Sequence, residues 1–284
     1  MILQLSEGAT ELLEGLQAGD NIAVPSVCPD SLAFNDHAIA YFNNAAAMCR
    51  TSDMDDFRVF GALYGIRHGL ELWLKCMIQN ALIDRALEAM TEPGCTFTKV
   101  AALTGQTDKR SREQLQKALC VLRNVSEDGL QFPKCREINI GPGWAEKAIA
   151  FIRKHGSLPR YQFATTWSVP ILDHKLLPLW ECAKGDVVKL RAAVITNAEH
   201  VGLPAPLEPE RISNACELLH AWDPSGDAFR YPTSMGGEWY FGTPHLSLDS
   251  LATLAEDLES TVRAYDSMLG EAYSLATLRS PWPS

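Results

Sequence analysis

The sequence predicts an all-α protein, a helical bundle with one small β-hairpin just before a long C-terminal helix. Three observations support this. Apolar residues recur at i, i+3, i+4 and i+7 in three long segments. Clusters of Gly and Pro separate those segments. One stretch alone, Phe229 to Phe241, has the aromatic-rich pattern around a Gly-Gly turn that suits a hairpin.

Residues 1–29 carry Gly8, Gly15, Gly19, Pro25 and Pro29 as breakers and are expected to form a peripheral arm. Residues 30–284 are expected to form a single helical domain. The Ala-rich run Ser31 to Arg50 is its first helix. Asp53 to Met90 is the long one, with the stripe Leu63, Ile66, Leu70, Trp73, Leu74 and Met77, and Pro93-Gly94 stops it. Ser111-Arg112-Glu113-Gln114 has capping-box form and is expected to open a helix to about Asn124. Residues 129–143 are loop-like, and Trp144 to His155 is a short helix.

A second core helix begins near Asp173, and Leu176, Leu179, Trp180, Ala183, Val187, Leu190 and Val194 continue its stripe past Gly185. Pro209 suits the first turn of the next helix, with Glu210 at its positive end, and that helix runs to about Ala221. Leu251, Leu254, Leu258, Val262, Tyr265 and Leu269 mark the closing helix.

Composition narrows the class. With 46% hydrophobic and 21% charged residues, the 284-residue chain can bury a large core without staples. No apolar run approaches the roughly 20 residues of a membrane span, and the first residues lack signal-peptide form, so a cytoplasmic location is expected. The eight cysteines are scattered without a C-x-x-C pair, which predicts reduced, mostly buried thiols rather than disulfides or a zinc site. A net charge of −10 does not suit a general nucleic-acid binder. The charge is uneven, however. Residues 93–170 hold twelve Lys and Arg against six Asp and Glu, a basic insertion on an acidic body.

On a helical wheel, Arg67 and Glu71 lie beside the apolar stripe of the long helix, while His68 lies nearly opposite Leu70 with Leu72 and Cys76. Apolar residues on both faces predict burial on both, so the charges would need partners. Glu71 and Lys75 form an i, i+4 pair worth about 0.2–0.5 kcal/mol if exposed. Asp173-His174 and Arg230 are the segments expected to supply partners.

Three motifs, Arg67-His68-x-x-Glu71-Leu-x-Leu-Lys75, His174-x-Leu-x-x-Leu-Trp180 and Phe229-Arg230-Tyr231-Pro232, occur in that order before a closing helix. The arrangement resembles a group of HEPN-like bacterial proteins over roughly residues 30–90 and 170–275. The resemblance implies a helical bundle that often dimerises and a place in toxin–antitoxin, phage-defence or RNA-processing systems. It also implies, for active members, metal-independent RNA cleavage by an Arg followed after four to six residues by His. None of the fifteen arginines has that spacing. Arg67, His68, Glu71, His174 and Arg230 therefore carry over as the group's signature positions, not as a ready active site.

Two readings of those positions stand: a buried ion-pair network, or a pocket for a nucleotide, RNA end or small ligand. The expected function is a defence or toxin-type protein that binds or cleaves RNA, with Arg67 or Arg230 paired with His68 or His174. The alternatives are a non-catalytic sensor or interaction subunit that dimerises and holds a partner protein, and a small-molecule enzyme using Glu71 and His174 as acid and base. No cofactor or metal is implied. Trp239, Tyr240 and Phe241 are expected to pack on a neighbouring helix or to stack on bases.

Overall fold

The computed structural model describes residues 32–51, 57–128, 145–147, 149–150, 171, 173–226, 229 and 246–278. The N-terminal arm, Arg230 and the rest of the predicted hairpin beyond Phe229 lie outside them. The described residues are helical and contain no strand. Seven helices follow in order: α1 Leu32–Arg50, α2 Phe57–Thr91, α3 Phe97–Leu103, α4 Lys109–Asp128, α5 Leu176–Val201, α6 Pro209–Trp222 and α7 Leu248–Leu278. Residues 145–147 and 149–150 are also helical. None of the described helices is long and apolar enough to cross a membrane.

α2 is the axis of the bundle. From Gly61 to Ile83 none of its residues is exposed. Its predicted stripe (Leu63, Ile66, Leu70, Trp73, Leu74, Met77) is buried, and so is Cys76 on the other side. Helix α1 packs along one flank, α5 along another, and α7 closes over α1 and α5. The predicted stripes of α5 and α7 enter the same core, with Leu190 and Leu254 at its margin and Leu269 buried outside it.

α1 lies antiparallel and unusually close to α2, because glycines replace side chains along the contact. A Cβ at Gly65 would stand 3.0 Å from the Tyr41 carbonyl oxygen and 3.1 Å from Ala45 Cβ. At Gly69 it would stand 2.7 Å from the Phe42 ring. With Ala38, Ala45 and Ala46 buried opposite, this is small-residue packing in which two backbones replace interdigitating side chains.

The far end of α2 carries a second apolar cluster. Ile83, Ala86 and Met90 meet Phe97 and Val100 of α3, Leu115 and Leu119 of α4, and Ala145 and Ile149. These residues form a small core of their own, built on the last turns of α2. Helix α3 has no sequence expectation behind it. It is a single short element after the Gly94 turn (φ 72), opened by the Thr96 hydroxyl accepting from Lys99 N at 3.2 Å. The expected capping box at Ser111 is corrected, because α4 starts at Lys109 and the Asp108 carboxylate accepts from Ser111 N at 3.0 Å. The box pattern competes with an Asp three residues earlier, and the acid wins the cap.

Other termini follow their chemistry. Gly202 (φ 74) ends α5, with Leu203 N donating to Ala198 O at 2.8 Å. Pro209 occupies the first turn of α6, as expected. Cys49, Cys76, Cys95 and Cys216 are buried free thiols, whereas Cys182 is exposed. Burial pushes the Cys216 thiol up to about 12.

Gly69→Ala is expected to lower stability by about 1–2 kcal/mol, since the fully buried Phe42 ring has nowhere to retreat. Gly185→Ala, exposed on α5 with nothing within 4 Å of an added Cβ, is expected to raise it by about 0.5–1 kcal/mol. Urea unfolding of both variants checks the pair.

Candidate functional site

Four of the five signature residues can be located, and all four meet around the Glu71 carboxylate. Their four-residue spacing puts Arg67, Glu71 and Lys75 of α2 in one row, about one turn apart. Arg67 is 1% exposed, Glu71 1% and Lys75 6%. The Glu71–Lys75 pair, whose exposure the spacing left open, is buried. α5, with the segment before it, covers the row, and the pair becomes a buried contact.

Glu71 is bonded by three groups. Arg67 Nη1 donates to Oε2 at 3.0 Å and Lys75 Nζ to Oε1 at 2.8 Å. His174 Nδ1 meets Oε1 at 2.7 Å. Burial alone would raise the Glu71 carboxyl. The nearby His68, Lys75 and His174 outweigh that and hold it well below the usual carboxylate range. Glu71 is thus an ionised acceptor, so His174 Nδ1 must carry the proton it shares with Oε1. In the neutral ring, Nε2 is then the lone-pair nitrogen, on a side chain 58% exposed. A buried carboxylate that fixes the tautomer of an exposed imidazole is an arrangement suited to proton transfer.

Arg67 is committed elsewhere. Its Nη2 donates to the His174 carbonyl at 2.6 Å, and its Nε faces Asp223 Oδ2 at 3.1 Å. Asp223 is fully buried, caps the end of α6, and accepts from Gly226 N at 2.7 Å. Gly226 (φ 89) lies against the guanidinium, where an added Cβ would be 2.8 Å from Nη2. Nη1 and Nη2 are hydrogen-bonded, Nε has only the ion-pair contact with Asp223, and the cation is walled off from solvent. Arg67, Lys75, Glu71 and Asp223 form a balanced set of two positive and two negative charges, as burial demands.

His68 sits at the edge of this cluster. Its ring is stacked on Tyr64 (5.4 Å, 10°) and meets Tyr41 edge-on (4.7 Å, 90°). Its Nδ1 is 3.7 Å from Glu71 Oε2, beyond hydrogen-bond distance, and its side chain is 18% exposed. Arg230 lies outside the described residues. Among those residues, no group of three or more His, Cys, Asp or Glu is arranged to hold a metal ion.

Sequence reasoning missed Asp223 and Gly226. The available signal was Asp223-Pro224-Ser225-Gly226, a turn pattern at a helix end. Nothing in that pattern connects it to an arginine so far away in the chain. No protein-family model, curated protein or solved structure matches this chain.

Glu71→Gln is expected to cost about 3–5 kcal/mol at neutral pH, because it leaves Lys75 and Arg67 buried beside an uncharged amide. The Glu71 carboxyl is depressed in the folded state, so its stabilisation is complete above the ordinary glutamate range, about pH 4.3. It diminishes as pH falls below that range toward the depressed folded-state value. Denaturant unfolding of wild type and variant should give a gap that is widest at pH 7 and narrows at pH 3.

Proposed function

We propose that this chain is a HEPN-like helical protein of a bacterial defence or toxin–antitoxin system, and that it cleaves RNA without a metal through His174. The observation that carries the reading is the Glu71–His174 pair, an exposed imidazole held in a single tautomer by a buried, ionised carboxylate 2.7 Å away. The three ordered motifs support the placement in the HEPN-like group.

In the proposed reaction, His174 Nε2 takes the proton from a ribose 2′-hydroxyl. The 2′-oxygen forms a bond to the adjacent phosphorus as the bond from phosphorus to the 5′-oxygen breaks. The imidazolium or water returns a proton to the leaving 5′-oxygen, and a 2′,3′-cyclic phosphate remains. Glu71 holds the imidazole in place and stabilises its charged form. Arg67 is fully engaged and cannot reach a phosphate. In this reading the phosphate-holding arginine is Arg230, by its motif.

A second reading, a non-catalytic interaction or sensor subunit, draws on the same burial of Arg67. Here the cluster is architectural, and the bundle surface dimerises and holds a partner protein of the system, such as a nucleotidyltransferase-type antitoxin.

Total RNA and tRNA incubated with the protein, with and without EDTA, separate the two. The catalytic reading expects cleavage that EDTA leaves intact and that falls by about 10²–10⁴-fold in His174→Ala. His174 is exposed, so that variant is expected to fold. Uncut RNA, or cleavage indifferent to His174→Ala, sinks the catalytic reading. Uncut RNA with a protein that co-purifies in stoichiometric amount from the native host is the result expected of the second.

A further inference from the structure

We propose that the face of α4 bearing Lys109, Arg110 and Lys117 is a docking surface for the phosphodiester backbone of single-stranded RNA, distinct from the Glu71–His174 pair. The inference rests on the RNA-directed reading above and adds to it where the strand is held.

The first support is segregation. Leu115 and Leu119 turn one side of α4 into the second apolar cluster. At about 100° per residue, Lys109, Lys117 and Arg110 fall within about 100° of one another on the opposite side. All three are exposed. Glu113 is the one carboxylate between Lys109 and Lys117.

The second support is the pairing of charge. Exposed arginines of the acidic body are used internally: Arg50 with Glu256, Arg85 with Asp186, Arg211 with Asp257 and Arg263 with Glu259. Among the described residues, Lys109, Arg110 and Lys117 make no ion pair. The first turn of α4 also lacks an acidic residue, so Lys109 and Arg110 stand where the helix dipole opposes them, offset by the Asp108 carboxylate at the cap. A row of three cations with one carboxylate among them is stabilised by an external polyanion.

The third support is a guanidinium at the margin of the apolar side, about 60° from Lys109. Arg112 lies over the Phe97 ring at 5.6 Å to its centroid. Phe97 is itself fixed, its N–H donating to Glu146 Oε1 at 3.1 Å. A guanidinium placed over an aromatic ring loses mobility while its N–H groups remain donors for phosphate oxygens. On a chain of net charge −10, these exposed cations offer a local attraction for a polyanionic strand.

Fluorescence anisotropy with a labelled oligo(U) RNA of about 20 nucleotides tests the proposal on the full chain, from about 50 to 300 mM salt. The wild type is expected to bind with a log K against log [salt] slope of about −2 to −3, as for three or four phosphate contacts to a single strand. The triple variant Lys109→Glu, Arg110→Glu, Lys117→Glu should lose at least about tenfold in affinity, and its slope should flatten by about 2. All three positions are exposed, and an unchanged circular dichroism spectrum shows that the fold survives. Lys184→Glu with Arg211→Glu, which reverses exposed cations of the body, should bind as the wild type does. Equal losses in the two variants would mean diffuse electrostatics and overturn the surface. If the triple variant binds normally while His174-dependent cleavage persists, the docking surface is wrong and the functional reading stands. If the wild type neither binds nor cuts, both fall.

Discussion

A single guanidinium holds the site end of this molecule together. Arg67 reaches from the central helix to the Glu71 carboxylate, to the His174 carbonyl ahead of α5, and to Asp223 at the end of α6. A buried cation is tolerable only where acceptors and counter-charges surround it. That requirement fixes three separate chain segments at once. It requires the α5 entry to bring a carbonyl to one side, and α6 to end where Asp223 can turn inward. It also requires a residue without Cβ at position 226. The order that results places the His174 ring against Glu71. Arg67 therefore acts on the chemistry of the site indirectly, through geometry.

The central helix can host such a cluster because its surroundings close on every side. Burial of both faces removes water from the Arg67–Glu71–Lys75 row and strengthens each contact electrostatically. Close approach of α1 through Gly65 and Gly69 is part of that enclosure. It also sets the position of Tyr41, which meets the His68 ring edge-on. The packing of two backbones thus reaches the margin of the polar site.

The parts legible in the sequence were those written in periodicity. The stripes of α2, α5 and α7 named most of the main core, because burial on one helix face leaves a local repeat. The grouping of Arg67, His68, Glu71 and His174 was legible for a related reason: charges on a doubly apolar helix need partners. The i, i+4 spacing of Glu71 and Lys75 is the same whether or not another helix covers the pair, so spacing alone left its burial open. Two features were illegible. Asp223 and Gly226 join Arg67 by a contact that spans most of the chain, and no local pattern encodes that. Helix α3 is too short for its apolar residues to show a period, so only its Thr96 cap marked it.

The continuity of α2 gives the molecule a phase relationship between its two ends. One uninterrupted helix, Phe57–Thr91, carries the polar cluster on its middle turns and the second apolar cluster on its last ones. Along a rigid screw each residue advances the chain by about 1.5 Å and turns it by about 100°. The azimuth of α4 relative to His174 is therefore set by the number of residues between Lys75 and Ile83, not by any direct contact. A single residue inserted there would rotate the distal cluster by more than a quarter turn. An insertion of seven, close to two whole turns, would nearly restore its heading while carrying it about 10 Å outward. Chain length in this span thus works as a gear tooth, and evolution can change it only in near-integral turns.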